Sequence, residues 1–170
     1  MPIRYTSRMQ QVLNEDVERR LTRSLAEFPE LACTTITVGR TKSADGTALA
    51  RNMVIRLNVR RRQPVSYFTI GHEFTHLLQA GGLGLVPYGE VQCDVWTLAR
   101  SALFLDDPPS YLCSHLWSRE NWPHCARAVR DWCRQAIELR KTNRRYLVWL
   151  NDVLERRVAA TITVPVQRAS

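Results

Sequence analysis

The residues with the clearest potential for chemistry are His72, Glu73 and His76, which form the pattern His-Glu-x-x-His. On an α-helix, two histidines at this spacing lie one turn apart on the same face, so both imidazoles can bind one metal ion. A glutamate next to the first histidine stays beside such a site. The spacing therefore predicts a metal centre with His72 and His76 as ligands and Glu73 beside it.

A third ligand is required, because a catalytic zinc site takes about three side chains from the protein and leaves one position for water. Glu90 and Asp94 are candidates, since they lie one turn apart on the same face of the next predicted helix. Either carboxylate can be the ligand, with the other as its neighbour. Cys93 lies close to that face and can approach the metal as a thiolate, although a buried apolar thiol is the simpler interpretation.

These two motifs together resemble the signature of a known class of enzymes. His72-Glu73-x-x-His76 followed by Glu90-x-x-x-Asp94 is similar to the HExxH plus ExxxD signature of gluzincin metallopeptidases. The short spacing between the two helices also resembles that of minimal gluzincins and SprT-like metalloproteases, some of which act on proteins bound to DNA. The resemblance extends over residues 34–94 and implies a zincin-like fold.

The resemblance also implies a role for each residue of the two motifs. His72, His76 and Glu90 would bind Zn²⁺, one ion per chain, and Asp94 would hold the outer nitrogen of one ligand histidine. Glu73 would be the general base that takes a proton from a metal-activated water, which then attacks a peptide carbonyl. The implied activity is that of a zinc-dependent endopeptidase, and the implied substrate is a protein or a peptide.

Two further parts of such a site are open at the level of the sequence. The first is the group that stabilises negative charge on the substrate carbonyl. Five side chains have suitable chemistry: Tyr88, Arg100, Tyr111, His115 and His124. The second is the substrate-binding strand. The candidate is the strand around residues 53–59, because edge pairing recognises the backbone of an extended peptide more than its sequence.

The elements that must position these residues follow from hydrophobic periodicity. Apolar residues at helical spacing predict an N-terminal helix over residues 7–28. Alternating apolar and polar residues predict two strands, 35–40 and 52–60, joined as an antiparallel hairpin. The helix that carries the histidines is predicted to begin after Pro64, and Gly81 with Gly82 offers a C-terminal cap.

Helices are predicted to dominate the second half of the chain. The helix with Glu90 is expected over residues 90–105, and two or three basic helices over residues 111–157, with breaks near Pro123 and Asn143. The fold class is therefore α+β and zincin-like: a small antiparallel sheet, the HExxH helix, a packed glutamate helix and C-terminal helices.

The length of 170 residues is typical of one domain. We expect a single zincin-like metallopeptidase domain at residues 1–157. Residues 158–170, with β-branched residues around Pro165, are expected to form a C-terminal tail, either as an edge strand or as a segment that lies in the cleft.

The charge of the chain supports a second functional hypothesis. Lysine and arginine total 24 against 16 acidic residues, a formal charge of +8 that attracts nucleic acid. Arginines at residues 60–62 and the basic residues at 140–145 are the candidates for an Arg-rich nucleic-acid surface. The alternative function is a basic nucleic-acid-associated protein, either a DNA-linked protease or a binding module with structural zinc or none.

The remaining sequence features concern the compartment. No run of about 20 apolar residues that would span a bilayer is present, and the N-terminus has no apolar export segment, so a cytoplasmic protein without a membrane partner is predicted. The five cysteines form no CxxC pair, which favours reduced thiols. The oligomeric state is left open.

Overall fold

A computed structural model describes residues 3–60, 64–79 and 85–162 of the chain, with side chains as far as Arg157. Its helices are α1 (Ser7–Gln10), α2 (Glu15–Ala26), α3 (Tyr67–Gln79), α4 (Glu90–Arg100), α5 (Trp122–Leu139) and α6 (Tyr146–Ile162). Its strands are β1 (Ile3–Tyr5), β2 (Ile36–Arg40), β3 (Gly46–Leu49) and β4 (Val54–Leu57). The α+β class predicted from the sequence is confirmed.

The sheet is mixed, so the predicted antiparallel sheet and hairpin were wrong. Within the described residues the strand order is β1-β2-β4-β3, and both β1–β2 and β2–β4 pair in parallel. The connection between β2 and β4 contains β3, which pairs antiparallel with β4 from Gly46 opposite Leu57. Alternation of apolar residues reports which side chains face the core and carries no information on strand direction.

The predicted helix at residues 7–28 is divided into α1 and α2. The division falls at Asn14, whose side chain accepts a hydrogen bond of 2.9 Å from the amide of Val17 and so caps the start of α2. Because Val17, Leu21 and Leu25 are all buried, the predicted apolar face is retained. The cap explains why one continuous hydrophobic pattern belongs to two helices.

Helix α3 lies between two hydrophobic clusters. Ile70, Phe74 and Leu77 pack into the cluster formed with the sheet and α2, whereas Phe68 packs into the cluster formed by α4, α5 and α6. The start of α3 is capped from far along the chain, because the carboxylate of Asp106 accepts from the amides of Tyr67 and Phe68 at 2.8 and 2.9 Å. The HExxH helix is thus fixed by both halves of the fold.

Two predicted boundaries in the second half differ from the structure. Helix α4 ends at Arg100, and Ala102–Leu105 form a 3₁₀ turn after the extended Ser101. Helices α5 and α6 are separated as predicted, and Pro123 lies in the first turn of α5. Helix α6 extends to Ile162 and includes the first residues of the predicted tail. Residues 163–170 and the predicted cap at Gly81 and Gly82 lie outside the described residues.

The close approach of α3 to α4 depends on Gly71. A Cβ atom at Gly71 would lie 2.8 Å from the ring of Phe104 and 2.9 Å from Thr97 Cγ2. We therefore expect Gly71→Ala to destabilise the protein by about 1–3 kcal/mol, although alanine in a helix otherwise stabilises by about 0.5–1 kcal/mol. The measurement is urea unfolding followed by circular dichroism.

The matched control is Gly39→Ala in β2, because its Cβ would meet mainly the flexible side chain of Arg56 at 3.2 Å. We expect this control to lose less stability than Gly71→Ala. Equal losses in the two variants would contradict the proposed contact between the helices.

Candidate metal centre

The two histidines of α3 and the glutamate at the start of α4 converge on one point. Nε2 of His72 and Nε2 of His76 each lie 3.1 Å from Oε2 of Glu90. The two imidazole rings are 4.8 Å apart and nearly perpendicular, and the spacing of one helical turn places both on the same face of α3. The structure therefore brings together the three side chains that the sequence motifs single out as ligands.

Asp94 lies behind His72 and faces away from this point. Its Oδ1 is 2.8 Å from Nδ1 of His72, and its Oδ2 accepts from the backbone amides of Tyr111 and Leu112 at 2.7 and 2.8 Å. The residue is completely buried, whereas the Glu90 side chain is 48% exposed. Asp94 thus orients His72 and holds the proton on Nδ1, which leaves the lone pair on Nε2.

His76 is oriented in the same sense by a different partner. Its Nδ1 lies 2.9 Å from Oε1 of Gln79, which is a hydrogen-bond acceptor. The proton of His76 therefore sits on Nδ1, and its Nε2 lone pair also points at Glu90. No sequence motif singled out Gln79.

The convergence suits a cation. The Nε2 atoms of two imidazoles each lie 3.1 Å from one carboxylate oxygen, and lone pairs at this distance repel each other unless a proton or a metal ion lies between them. Imidazole and carboxylate are also the donor types that zinc accepts. The donor set and its orientation therefore fit a divalent metal ion.

Cys93 adds a second possible ligand to the same histidines. His72, His76 and Cys93 offer ligand atoms that all lie within 4.8 Å of one another, so this group can hold a metal ion. The thiol lies 3.2 Å from Nδ1 of His76, on the side of the ring that also faces Gln79. Burial raises the pKa of the Cys93 thiol, with the nearby carboxylates adding to the shift, so the thiol is neutral at pH 7 without a metal.

Glu73 is a buried carboxyl beside the convergence point. It is 4% exposed, and its Oε2 has no hydrogen-bond partner among the described residues. Burial raises the pKa of Glu73 to about 7, with His72 opposing the shift and Glu90 adding to it. A carboxyl with a pKa near neutrality exchanges protons readily, which is the requirement for a general base.

The position of Glu73 depends on a glycine in the sheet. A Cβ atom at Gly46 would lie 2.4 Å from Oε1 of Glu73, so only a residue without a side chain leaves room for this carboxyl. In the sequence, Gly46 lies in the connection between the two predicted strands, and no motif includes it. Its contact with Glu73 links the start of β3 to the catalytic candidate.

A cleft of about 860 Å³ opens above these residues. One wall is formed by residues 44–52, which include β3, and Tyr88 and Tyr111 lie on the cleft as well. The ring of Tyr111 stacks on His72 at 5.8 Å with an angle of 22°. Two of the five candidates for stabilising charge on a substrate carbonyl therefore lie at the cleft.

The other three candidates face elsewhere. Arg100 pairs with Glu30 at 2.9 Å, and His115 pairs with Glu155 at 2.7 Å. His124 lies in the first turn of α5 and does not line the cleft. None of these three residues lines the cleft beside His72 and His76.

The strand that was predicted to bind an extended peptide does not lie at an edge of the sheet. Residues 54–57 form β4, which is paired on both sides, with β2 and with β3, so it cannot pair with a peptide. Among the described strands, β3 lies at the edge of the sheet next to the cleft. The backbone available for edge pairing is therefore that of Gly46–Leu49.

Three of the basic residues that suggested nucleic-acid binding contact other side chains of the protein. Arg60 lies 3.6 Å from Asp45, and the guanidinium of Arg140 lies 5.6 Å from the ring centre of Trp96. Lys141 pairs with Glu138 at 2.5 Å. Residues 61–63, which hold the rest of the arginine run, lie outside the described part of the chain.

This chain was compared with known protein families, curated proteins and solved structures. No protein family, curated protein or solved structure matches this chain. None of the described helices combines the length and hydropathy that crossing a membrane requires.

The choice between Glu90 and Cys93 as the third ligand can be measured. Glu90 faces the Nε2 lone pairs of both histidines, whereas Cys93 lies at the protonated Nδ1 of His76. We expect Glu90→Gln to weaken Zn²⁺ binding by about 100-fold or more, because a neutral amide replaces an anionic ligand, and Cys93→Ser to leave it nearly unchanged. Competition with a chromophoric chelator measures both affinities.

The comparison is symmetrical, since each variant serves as the control for the other. A large loss in Cys93→Ser with binding retained in Glu90→Gln would assign the thiolate as the ligand and overturn the carboxylate assignment.

Proposed function

We propose that the protein is a zinc-dependent endopeptidase with its active site in the cleft between α3, α4 and β3. The observation that carries this proposal is the convergence of His72, His76 and Glu90 at 3.1 Å, next to the buried and unpaired carboxyl of Glu73. The resemblance to the gluzincin signature supports the same assignment.

In this proposal His72, His76 and Glu90 hold Zn²⁺, and Asp94 orients His72 from behind. When bound, zinc would supply a Lewis acid that polarises a substrate carbonyl and lowers the pKa of water. The protein contributes the orientation: both histidines present Nε2, because Asp94 and Gln79 engage their Nδ1 atoms at 2.8 and 2.9 Å.

Glu73 moves the proton of the hydrolysis. The Glu73 carboxyl accepts a proton from the attacking water at the cleft, which this residue lines. Glu73 then passes the proton to the amide nitrogen that leaves, so the carboxylate is regenerated in each cycle. The pKa of about 7 that burial gives this group suits both steps at neutral pH.

The cleft offers an extended polypeptide two kinds of contact. The backbone of β3 can add a strand by edge pairing, which places a scissile peptide across Glu73. Leu49, Tyr88 and Tyr111 surround the cleft with exposed apolar surface, at 45%, 91% and 52% exposure. The neutral phenol of Tyr111, next to His72, is the hydrogen-bond donor that we assign to the substrate carbonyl.

The first test replaces the base. Glu73→Gln keeps the size of the side chain and removes its capacity to take a proton, so we expect peptide hydrolysis to fall by about 10²–10⁴-fold while Zn²⁺ binding is retained. Cleavage of an unfolded protein substrate, followed by electrophoresis and mass spectrometry, measures the activity. The exposed Glu120→Gln is the control and should cleave like the wild type.

Activity in Glu73→Gln equal to that of the wild type would show that this carboxyl is not the base. Wild-type protein that binds zinc and cleaves no unfolded protein or peptide would contradict the assignment as an endopeptidase.

A second test moves the base without removing it. Gly46→Ala would place a Cβ atom 2.4 Å from the carboxyl oxygen of Glu73 and displace that group. We expect a loss of up to about 100-fold in kcat with zinc affinity unchanged, because a misplacement of about 1 Å at a reacting group has this effect. Gly39→Ala in the same sheet is the control, and equal kcat in the two variants would contradict the contact.

A further inference from the structure

Gln79, the last residue of α3, contacts both sides of the metal centre. Its Oε1 lies 2.9 Å from Nδ1 of His76. Its Nε2 donates to the carbonyl oxygen of Pro87 at 2.6 Å and to that of Gly89 at 3.0 Å. One amide therefore connects a histidine ligand on α3 with the segment that leads into α4.

The orientation of this amide is determined by its partners. Carbonyl oxygens only accept hydrogen bonds, so the two N–H groups of Gln79 must face Pro87 and Gly89. Oε1 is then left to face His76, and as an acceptor it requires the proton on Nδ1. The Nε2 lone pair of His76 is thereby directed at Oε2 of Glu90, 3.1 Å away.

The other end of the amide acts on Glu90. Gly89 directly precedes Glu90 and has φ of +127°, a conformation that residues with side chains rarely adopt. Its carbonyl oxygen also accepts from the amide of Cys93 at 3.2 Å, so Gln79 adds a second donor at the first turn of α4. Because the Glu90 side chain is half-exposed, its position depends strongly on where this backbone places it.

We propose that Gln79 is a positioning residue that fixes the tautomer of His76 and the placement of Glu90 together. Two of the three ligands thus depend on one side chain, whereas His72 depends on Asp94. This inference rests on the metal centre of the proposed function. It assigns to Gln79 a role in metal affinity, with no contact to the ion or to the substrate.

The test is the Zn²⁺ affinity of the full chain, measured by competition with a chromophoric chelator. Gln79→Met keeps the length of the side chain and removes all three hydrogen bonds, so we expect the dissociation constant to rise by about 10–100-fold. Gln79→Glu is the conservative variant, which keeps the acceptor for His76 and removes both donors. We expect its affinity to lie between those of Gln79→Met and the wild type.

The matched control is Gln92→Met on α4. The amide of Gln92 is also hydrogen-bonded, since its Oε1 accepts from the hydroxyl of Tyr146, yet it has no described bond to the three ligands. Thermal unfolding of the metal-free proteins reports any general loss of stability. We expect zinc affinity to fall in the Gln79 variants and to stay at the wild-type value in Gln92→Met.

The visible absorption of bound Co²⁺ supplies a second readout, because it reports coordination geometry rather than stability. We expect the spectrum of Gln79→Met to differ from those of the wild type and Gln92→Met. If both Gln79 variants bind zinc like a zinc-binding wild type, the role of Gln79 is overturned and the metal centre stands. If folded wild-type protein binds no zinc, both proposals are overturned.

Discussion

The hydrogen bond between Asp94 and His72 is the interaction on which the rest of the site depends. It joins α4 to α3 at 2.8 Å, and the other oxygen of the same carboxylate binds the amides of Tyr111 and Leu112. A completely buried carboxylate is strongly unfavourable unless it is paired and hydrogen-bonded. His72, the loop with Tyr111 and the cleft wall are therefore held in one arrangement by the need to satisfy Asp94.

Close packing of α3 on α4 makes this hydrogen bond possible. Gly71 leaves space for Thr97 and Phe104, and the hydroxyls of Thr75 and Thr97 bond to each other at 2.8 Å between the helices. Small residues let helix backbones approach, so that the candidate ligands His72 and His76 on α3 can meet Glu90 on α4. The geometry of the candidate metal centre thus depends on the packing of α3 against α4.

The sequence could predict the parts of the site that depend on helical spacing. The pairs His72–His76 and Glu90–Asp94 follow from one turn of helix, and the structure brings them together. Spacing could not show which of the two carboxylates faces the Nε2 atoms of the histidines, because Glu90 and Asp94 differ in burial and not in spacing. The sequence could not predict strand direction either, since apolar and polar residues alternate in the same way in parallel and antiparallel pairs. Gly46 acts through space across the fold, so no local signal identifies its contact with Glu73.

Asp94 and Glu73 are two buried carboxyls beside the candidate metal site, and they differ in how many hydrogen bonds they accept. Asp94 has three short hydrogen bonds to described groups, and its solvation is replaced by fixed donors. Glu73 has one oxygen without such a donor, and burial raises its pKa to about 7. An unsatisfied buried polar group costs about 1–3 kcal/mol, so a fold retains it at the expense of stability. The proposed role of Glu73 as a general base accounts for this cost, because the same burial brings the pKa of the carboxyl to a value at which it can both take and release a proton near neutral pH.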